Sequence, residues 1–432
     1  MNLMENKKEE KKIKIVTLSD DPRMLSGVAI QTRYFIQALL ETGRFEIFSI
    51  GGAIRHNDYR ISVFEEYGEA WKILPVDGFG DPKLIRGILL SEKPDMFWIM
   101  TDPRYWEWLF LMENEIRIHC PIVYYHVWDN LPVPKFNEKW YRSCDAIVTI
   151  SKLTDKCVEE AAPEIPRWYL PHTVNEKEFE LRNEEQQKEI RQKMFSGRLN
   201  DNDFVLLFNN RNAGRKHPHT LLIWLKRFLE ENPEWKERLK LVMHCAVSDE
   251  VGVDLRVFLE DFDLESVVTV SNQKIPSPVL CDLYNACDAT ISLSDAEGFG
   301  MAILESLFCG TPLIAGRTGG VGDQFIDYAH GLFIEPSSSM ALGTLQVPYI
   351  FSDHYSYESF SGTLMEALEY HANGNWKNKE ISEKCRNHAM KNFSMNEYKR
   401  RWIEIIDWVH QNLSGKENRE KTYCPWELKE VA

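Results

Sequence analysis

The chain has 432 residues, of which 44% are hydrophobic, 27% charged and 12% aromatic, a composition that excludes a disordered polymer, a collagen and a small disulfide-stapled fold. With 51 basic and 66 acidic residues, its formal net charge of -15 disfavours general nucleic-acid binding, since a negative surface repels polyanions. Domains of roughly 100 to 200 residues predict two domains, each with its own core.

The amino terminus, MNLMENKKEEKK, alternates charges and lacks the apolar stretch of a secretory signal. No run of 18 apolar residues occurs that would cross a membrane. We therefore expect a cytoplasmic protein. Peripheral contact at the inner face of the membrane is an alternative, through the segment PKLIRGILLSEK, where Lys83, Arg86 and Lys93 surround apolar residues.

Strands and helices alternate along the first half of the chain. IKIVTLS, FEIFSIG, PDMFWIM, PIVYYHV and DAIVTIS are predicted strands, whereas residues 28–40, PKLIRGILLSEK and WEWLFLMENEIR are predicted helices. Strands that are apolar on both faces and alternate with helices indicate a parallel sheet covered on both sides. We expect an α/β domain over residues 13–185.

A polar stretch around residues 180–203 predicts the domain boundary, and a second alternating series follows it. Its predicted strands are FVLLFNN, LKLVMHC, SVVTVS, DATISLS and TPLIAG, with helices between them. The second doubly wound domain is expected over residues 200–385, and the carboxyl ends of the two sheets should face a shared cleft. Residues 337–361 interrupt the pattern, either as an insertion near the cleft or as a surface loop.

The most informative stretch is SLSDAEGFGMAILESLFCGTPLIAG, residues 292–316. Gly298 and Gly300 predict a tight turn between a strand and a helix, and such a turn aims free backbone N–H groups at a phosphate or a sugar hydroxyl. Glu297 lies in the turn and Glu305 eight residues later, where carboxylates can accept hydrogen bonds from vicinal hydroxyls. The alternative is an ordinary strand-to-helix turn with a capping glutamate.

A basic loop follows the first strand of the second domain in the sequence FNNRNAGRK. Arg211 and Lys216 lie five residues apart, and cationic side chains of this kind form charge-assisted hydrogen bonds with anionic groups. Arg215 is a weaker candidate. A solvated basic loop is the structural alternative.

These stretches resemble the E-x7-E signature and the diphosphate loop of the family-4 retaining glycosyltransferases, which have the GT-B fold of two Rossmann-like domains. LSGVAIQTRYFIQALLETG, with Gly27, is similar to the family's first glycine loop, although many members carry two adjacent glycines there. KNFSMNEYKRRWIEIIDWVHQ is similar to the family's carboxy-terminal helices, which would pack residues 386–410 back on the first domain.

The resemblance implies donor-binding and catalytic positions. The implied donor-binding residues are Gly27, Arg211, Lys216, Glu297, Gly298, Phe299, Gly300, Met301 and Glu305. His126 ends a predicted strand where the family often has a histidine near the reacting sugar, so the implied catalytic residues are His126, Arg211, Lys216 and Glu297. Asp129, Trp128 and Trp106 are weaker candidates for acceptor contacts.

The function implied is transfer of a hexosyl group, with retention, from a nucleotide-diphospho-sugar to an acceptor. No obligatory cofactor or metal is expected, because the Asp261-Phe262-Asp263 motif has no supporting motif, the nine cysteines form no CxxC and the histidines no HExxH. Rival functions are a sugar-nucleotide epimerase, a phosphorylase, and an inactive carbohydrate-binding or scaffold protein. The acceptor, a glycan, lipid-linked sugar, small molecule, protein or modified nucleobase, stays open, as do the donor nucleotide and the oligomeric state.

Overall fold

The computed structural model describes residues 11–196, 199–200 and 202–415. Cys424 and most of the tail after Ser414 lie outside the described residues. The other eight cysteines are buried and form no disulfide bond within the described residues. Within the described ranges, no helix is long and apolar enough to span a membrane.

An eight-stranded sheet organises the first part of the chain. Its strands are β1 (Ile13–Asp20), β2 (Phe45–Gly52), β3 (Ser62–Phe64), β4 (Gly68–Pro75), β5 (Met96–Ile99), β6 (Ile122–His126), β7 (Ala146–Thr149) and β8 (Arg167–Tyr169). Their order is β3-β4-β2-β1-β5-β6-β7-β8, and only the β3–β4 pair is antiparallel. The strand order therefore reverses between β1 and β5, which places a ligand crevice beside the loop after β1.

The helices of this part cover both faces of the sheet. They are α1 (Gly27–Leu40), α2 (Pro82–Glu92), α3 (Glu107–Phe110), α4 (Glu113–Arg117), α5 (Glu138–Arg142) and α6 (Lys152–Ala161). The helix predicted over WEWLFLMENEIR is broken in two, because Met112, between α3 and α4, leaves the helical conformation at φ -106° and ψ 15°. On α2, Arg86 forms a two-point ion pair with Glu115.

A six-stranded parallel sheet organises the second part. Its elements in chain order are α7 (Glu184–Met194), β9 (Phe204–Asn209), α8 (Pro218–Glu231), β10 (Leu239–His244), α9 (Leu255–Asp261), β11 (Val268–Ser271), α10 (Ser277–Ala286), β12 (Ala289–Ser292), α11 (Met301–Phe308), β13 (Leu313–Gly316) and β14 (Gly331–Ile334). The order β11-β10-β9-β12-β13-β14 reverses between β9 and β12. The loops after these two strands therefore share the carboxyl edge of the sheet.

The segment that interrupts the alternating pattern is a β-hairpin followed by a helix. The remaining elements are β15 (Ser338–Leu342), β16 (Ile350–His354), α12 (Tyr357–Ala372), α13 (Lys379–Phe393) and α14 (Met395–Leu413). We call the part built on the eight-stranded sheet the first lobe and the part built on the six-stranded sheet the second lobe. Helix α14 packs on α1 of the first lobe. At this contact Phe35 stacks on Trp98, with ring centroids 4.3 Å apart, and meets the ring of Trp402 edge-on at 4.6 Å. The chain thus crosses between the lobes twice.

Candidate active site

The turn between β12 and α11 is built by glycines. Gly300 has φ +89°, a conformation that side chains with a Cβ rarely adopt, and it precedes the first residue of α11 without a side-chain cap. The Gln324 side chain donates hydrogen bonds to the carbonyls of Phe299 and Gly300 and so holds the turn from behind. Within the described part of the chain, the N–H groups of Met301 and Ala302 at the start of α11 donate to no other group, so they are available to a ligand.

Glu297 is the buried acid of this turn. Its Oε1 forms an ion pair with Lys216 Nζ and accepts a hydrogen bond of 2.8 Å from Ser294 Oγ. Its Oε2 lies 3.8 Å from Arg215 Nη1. Burial alone would raise the pKa of Glu297, but the Lys216 ammonium and the Arg215 guanidinium together hold that pKa below its ordinary value. Glu297 is therefore an ionised carboxylate at neutral pH.

The three cations of the basic loop are separated by the structure. Lys216 is buried against Glu297, and Arg215 donates a hydrogen bond of 2.6 Å to the carbonyl of Ala296 in the same turn. Arg211 is 67% exposed and binds Asp249 at 2.9 and 3.1 Å. The structure thus brings Arg215, the weaker candidate from the sequence, to the acid of the turn, and it leaves Arg211 outside that group.

Glu305 lies half-buried in the second turn of α11. Its Oε2 accepts a hydrogen bond of 2.7 Å from Tyr284 Oη and one of 3.4 Å from Asn209 Nδ2. Asn209 also donates to Tyr284 at 2.6 Å, so the three side chains form one network. Burial raises the pKa of Glu305 to about 7. Among the described residues Oε1 has no recorded hydrogen-bond partner, which leaves it for a ligand hydroxyl.

The first lobe meets the turn through α1. Ser26 caps this helix, accepting from the N–H of Ala29 at 3.1 Å and donating to Asp20 at 2.6 Å. A Cβ added to Gly27 would lie 3.7 Å from Cγ of Met301. The two predicted donor residues of the opposite lobes are therefore neighbours across the cleft.

Asp129 faces the turn from the loop after β6. A Cβ on Gly298 would lie 3.9 Å from Asp129 Cβ, and one on Gly319 would lie 3.3 Å from the Asp129 carbonyl oxygen. Burial raises the pKa of Asp129, while the nearby Arg215 opposes this shift. Asp129 is thus the first-lobe carboxyl group that the structure brings to the Glu297 turn.

His126 lies in the core of the first lobe. Its Nε2 is 2.9 Å from Tyr141 Oη, and its ring packs between Tyr124 and Trp128. Burial lowers its pKa to about 3, so the imidazole is neutral. Within the described residues no hydrogen bond or ion pair joins His126 to the Glu297 turn. The structure does not bring it to the other predicted catalytic residues.

A different histidine, His172, contacts the glycine turn. Its ring lies 5.2 Å from the Phe299 ring between centroids, and its Nδ1 is 2.7 Å from Tyr125 Oη. His172 stands in no recognisable motif, and it belongs to the segment that crosses from the first lobe to the second. Only the position of this segment beside the turn would have indicated it.

The two tryptophan candidates for acceptor stacking are buried. Trp106 is completely inaccessible in the first-lobe core, where it packs against Phe79. Trp128 is 3% exposed, and its Nε1 donates to the carbonyl of Asn130 at 2.6 Å. Because both rings are buried, the structure does not bring either of these weaker candidates to a surface that an acceptor sugar could contact.

The described residues contain no cluster of three or more His, Cys, Asp or Glu side chains that could hold a metal ion. Asp261 ends α9 and Asp263 follows it with φ +52°.

Comparison with known proteins identifies the architecture. The sucrose-phosphate synthase of Thermosynechococcus elongatus superposes with a TM-score of 0.69 at 13% identity, over 93% of this chain and all of that protein. HepE of Anabaena, solved in complex with UDP and glucose, superposes with a TM-score of 0.67 at 15% identity, over 92% of this chain and all of that one. The chain has the GT-B fold.

A family model of known glycosyl transferases matches the second lobe of this GT-B fold. Residues 189–345 match the family model of glycosyl transferases group 1. A D-inositol 3-phosphate glycosyltransferase of Thermobifida fusca is 32% identical over 142 residues, 32% of each chain. Another, from Acidothermus cellulolyticus, is 28% identical over 174 residues, 39% of this chain and 38% of that protein. The matched region thus spans about a third of the length of these relatives. Residues 189–345, the range of the family model, contain the basic loop and the glycine turn.

Proposed function

We propose that the chain is a retaining glycosyltransferase that moves a hexosyl group from a nucleotide-diphospho-sugar to an acceptor bound by the first lobe. The observation that carries this proposal is the buried Lys216–Glu297 ion pair at the glycine turn. Glu305 lies on α11, the helix that follows this turn. An ammonium, two carboxylates and free helix N–H groups on one sheet edge match the phosphates and the hydroxyls of one sugar nucleotide.

Each group has a defined part in this proposal. The N–H groups at the start of α11 and the Lys216 ammonium bind the diphosphate and stabilise the charge that grows on it as the glycosidic bond breaks. Glu297 accepts hydrogen bonds from hydroxyls of the transferred sugar. The free Oε1 of Glu305 accepts from the nucleotide ribose. Gly27 lies beside Met301 and approaches the donor, Asp129 lies on the acceptor side, and the contact between the lobes excludes water.

In this proposal the anomeric configuration of the sugar is retained, because the acceptor hydroxyl attacks the anomeric carbon on the same face from which the diphosphate leaves. A donor phosphate oxygen then takes the proton of the acceptor hydroxyl, so that no second enzyme carboxylate is needed. The family resemblance of the E-x7-E pattern and the match to glycosyl transferases group 1 support this assignment over an epimerase, a phosphorylase or an inactive scaffold.

Thermal unfolding with UDP-, GDP-, ADP-, TDP- and CMP-sugars tests the proposal. A ligand at 100 times its Kd adds about 2.7 kcal/mol to the free energy of unfolding. We expect stabilisation by one nucleotide family and its loss in Lys216→Ala. Stabilisation by none of them, or an equal effect in the variant, would contradict the proposed donor site.

A further inference from the structure

A cavity of about 210 Å³ opens at the carboxyl edge of the six-stranded sheet, between the start of α8 and the end of β16. Thr220 and Trp224 of α8 line one side of it, and Asp353, His354 and Tyr355 line the other. A cavity of roughly 150 Å³ is enough to hold a benzene ring in another protein. This one therefore has room for a six-membered ring that carries hydroxyl groups.

The side chains that line the cavity carry polar atoms which are free to bind a ligand. No described residue forms a hydrogen bond with Asp353 Oδ1, with either ring nitrogen of His354 or with Trp224 Nε1. Thr318 Oγ1 donates to the other carboxyl oxygen of Asp353 at 2.6 Å and fixes that side chain. The Trp224 ring packs against Phe360, with 5.4 Å between ring centroids. The hydroxyl groups of a sugar both donate and accept, so they match this set of atoms.

The charges around the cavity favour a neutral ligand. Of the described residues that line it, none is Lys or Arg, and Asp353 contributes a carboxyl group. A phosphate or another anion would lie beside this group without a fixed cation to offset the repulsion. A purely apolar ligand would cover the polar atoms of His354 and Trp224 without offering them a hydrogen bond. A sugar ring is neutral and carries hydroxyl groups, so it meets both conditions.

The cavity adjoins the glycine turn of the candidate active site. Tyr355 Oη donates a hydrogen bond of 3.0 Å to the carbonyl of Ser294, whose hydroxyl binds Glu297. His217 also lines the cavity, and its Nε2 lies 3.4 Å from Oδ2 of Asp295. Asp295 is two residues from Glu297 in the sequence. A ring in the cavity would therefore be next to a sugar that Glu297 holds.

The cavity and Glu305 lie on opposite faces of the six-stranded sheet. Leu207 of β9 belongs to the same core cluster as Tyr284, which binds Glu305. Leu206, the residue before it, points to the other face and belongs to the cluster against which Trp224 packs. The glycine turn is at the sheet edge between these faces. A donor with its ribose at Glu305 thus points its sugar toward the cavity.

The cavity is also joined to the acceptor side of the cleft. Phe351 is two residues before Asp353, and its N–H donates to the carbonyl of Leu131 at 2.5 Å. Its own carbonyl accepts a hydrogen bond of 2.7 Å from Asn130 Nδ2. Asn130 and Leu131 directly follow Asp129, the first-lobe carboxyl group at the glycine turn. The segment that lines the cavity is therefore held against the loop that carries Asp129.

We propose that this cavity binds one neutral sugar ring of an oligosaccharide acceptor, whose adjoining ring lies between Asp129 and Glu297 and receives the transferred sugar. We call the cavity the second-ring site. This inference rests on the proposed function and names the acceptor class as a glycan of at least two rings.

A glycan array that presents one to four sugar rings, probed with the full chain and UDP, tests the acceptor class. Calorimetric titration then gives Kd for the strongest oligosaccharide and for the methyl glycoside of its terminal ring. We expect the second ring to lower Kd by about tenfold, the effect of one or two hydrogen bonds. The double variant Asp353→Ala, His354→Ala should lose this effect, and so should Thr220→Phe, which fills the cavity.

A matched control replaces the same residue types where they are exposed elsewhere. Asp261 and His119 are both exposed, and the double variant Asp261→Ala, His119→Ala should keep the effect of the second ring. The unfolding temperature of each variant shows whether it is folded, and the two cavity variants act by different means, so that either one can decide. An array without oligosaccharide binding, equal Kd for one and two rings, or an unchanged effect in the cavity variants would overturn the proposal.

Two further measurements separate the ways in which the proposal can fail. If inorganic phosphate stabilised the wild type against heat, but not the Asp353→Ala, His354→Ala variant, the cavity would be an anion site and the proposal would be overturned. Nucleotide-sugar stabilisation is measured in the same samples. If it is present without an effect of the second ring, only the second-ring site fails. If it is absent from the wild type, the proposed function fails and the acceptor assignment fails with it.

Discussion

Lys216 and Glu297 form a buried ion pair that joins the loop after β9 to the turn after β12, although 81 positions separate them in the sequence. The pair exists because β9 and β12 are neighbours in the sheet, with Leu206 beside Ala289. These strands are also where the strand order reverses, so the pair lies in the crevice in which open parallel sheets bind ligands.

Removal of Lys216 should destabilise the fold as well as donor binding. Lys216→Ala leaves the Glu297 carboxylate buried beside Arg215 alone, and breaking a buried pair in this way costs about 3 to 5 kcal/mol. Urea denaturation at pH 7 measures the loss. Arg211→Ala is the control, because that side chain is largely exposed and its removal should change stability little. Equal effects of the two variants would contradict the assignment.

Glu297→Gln and Glu305→Gln should each reduce donor turnover by more than about tenfold, or roughly 1.4 kcal/mol of transition-state stabilisation. Both amides keep the size of the side chain while weakening hydrogen bonds from sugar hydroxyls. Steady-state kinetics with the identified donor measures the effect. Glu230→Gln, an exposed glutamate on α8, should retain wild-type turnover; wild-type rates in all three variants would place the site elsewhere.

Glu305 should make stability depend on pH. Its pKa is raised from 4.5 to about 7 in the folded chain, so between these values the unfolded state binds fewer protons than the folded state. The free energy of unfolding then falls as pH rises through this window, by about 1 to 3 kcal/mol. Glu305→Gln lacks this contribution, and denaturation at pH 4.5 and 7.5 should show a gain relative to the wild type at the higher pH only. A constant difference would refute the raised pKa.

Gly319 packs so closely against the Glu297 turn that there is no room for a side chain at this position. Its φ is +46°, and a Cβ there would lie 2.0 Å from the carbonyl oxygen of Glu297. Gly319→Ala should therefore cost more than about 2 kcal/mol and weaken donor binding, since the turn must move. Gly362→Ala in α12 meets nothing within 4 Å and should be neutral or stabilise by up to about 1 kcal/mol. Urea denaturation compares the two, and an unchanged Gly319→Ala protein would contradict the close approach.

The sequence predicted the two parallel sheets and the glycine turn because both depend on local patterns. Apolar runs of four to eight residues became the central strands, and Gly298 and Gly300 stand where the strand gives way to α11. Strands near the edge of the first sheet were missed, among them β4, which lies between β3 and β2 and whose partly buried pattern is weaker than that of a central strand.

The sequence was a poorer guide to which side chains from distant parts of the chain come together at the site. The spacing of Arg211 and Lys216 predicted two converging cations, yet Asp249 pairs with Arg211 and Arg215 takes the position near Glu297. Nor could the pattern show that His126 is covered by Tyr141. Such outcomes depend on which loops meet at the sheet edge, and that is set by strand order and side-chain packing.

The most direct test of the account is the anomeric configuration of the sugar that the chain releases from its donor. Time-resolved NMR of the hydrolysis of an α-linked nucleotide sugar, with water as acceptor, should show the α-anomer first, with the nucleoside diphosphate as the other product and no release by Glu297→Gln. Initial release of the β-anomer, or of a sugar phosphate with a nucleoside monophosphate, would contradict a retaining glycosyltransferase.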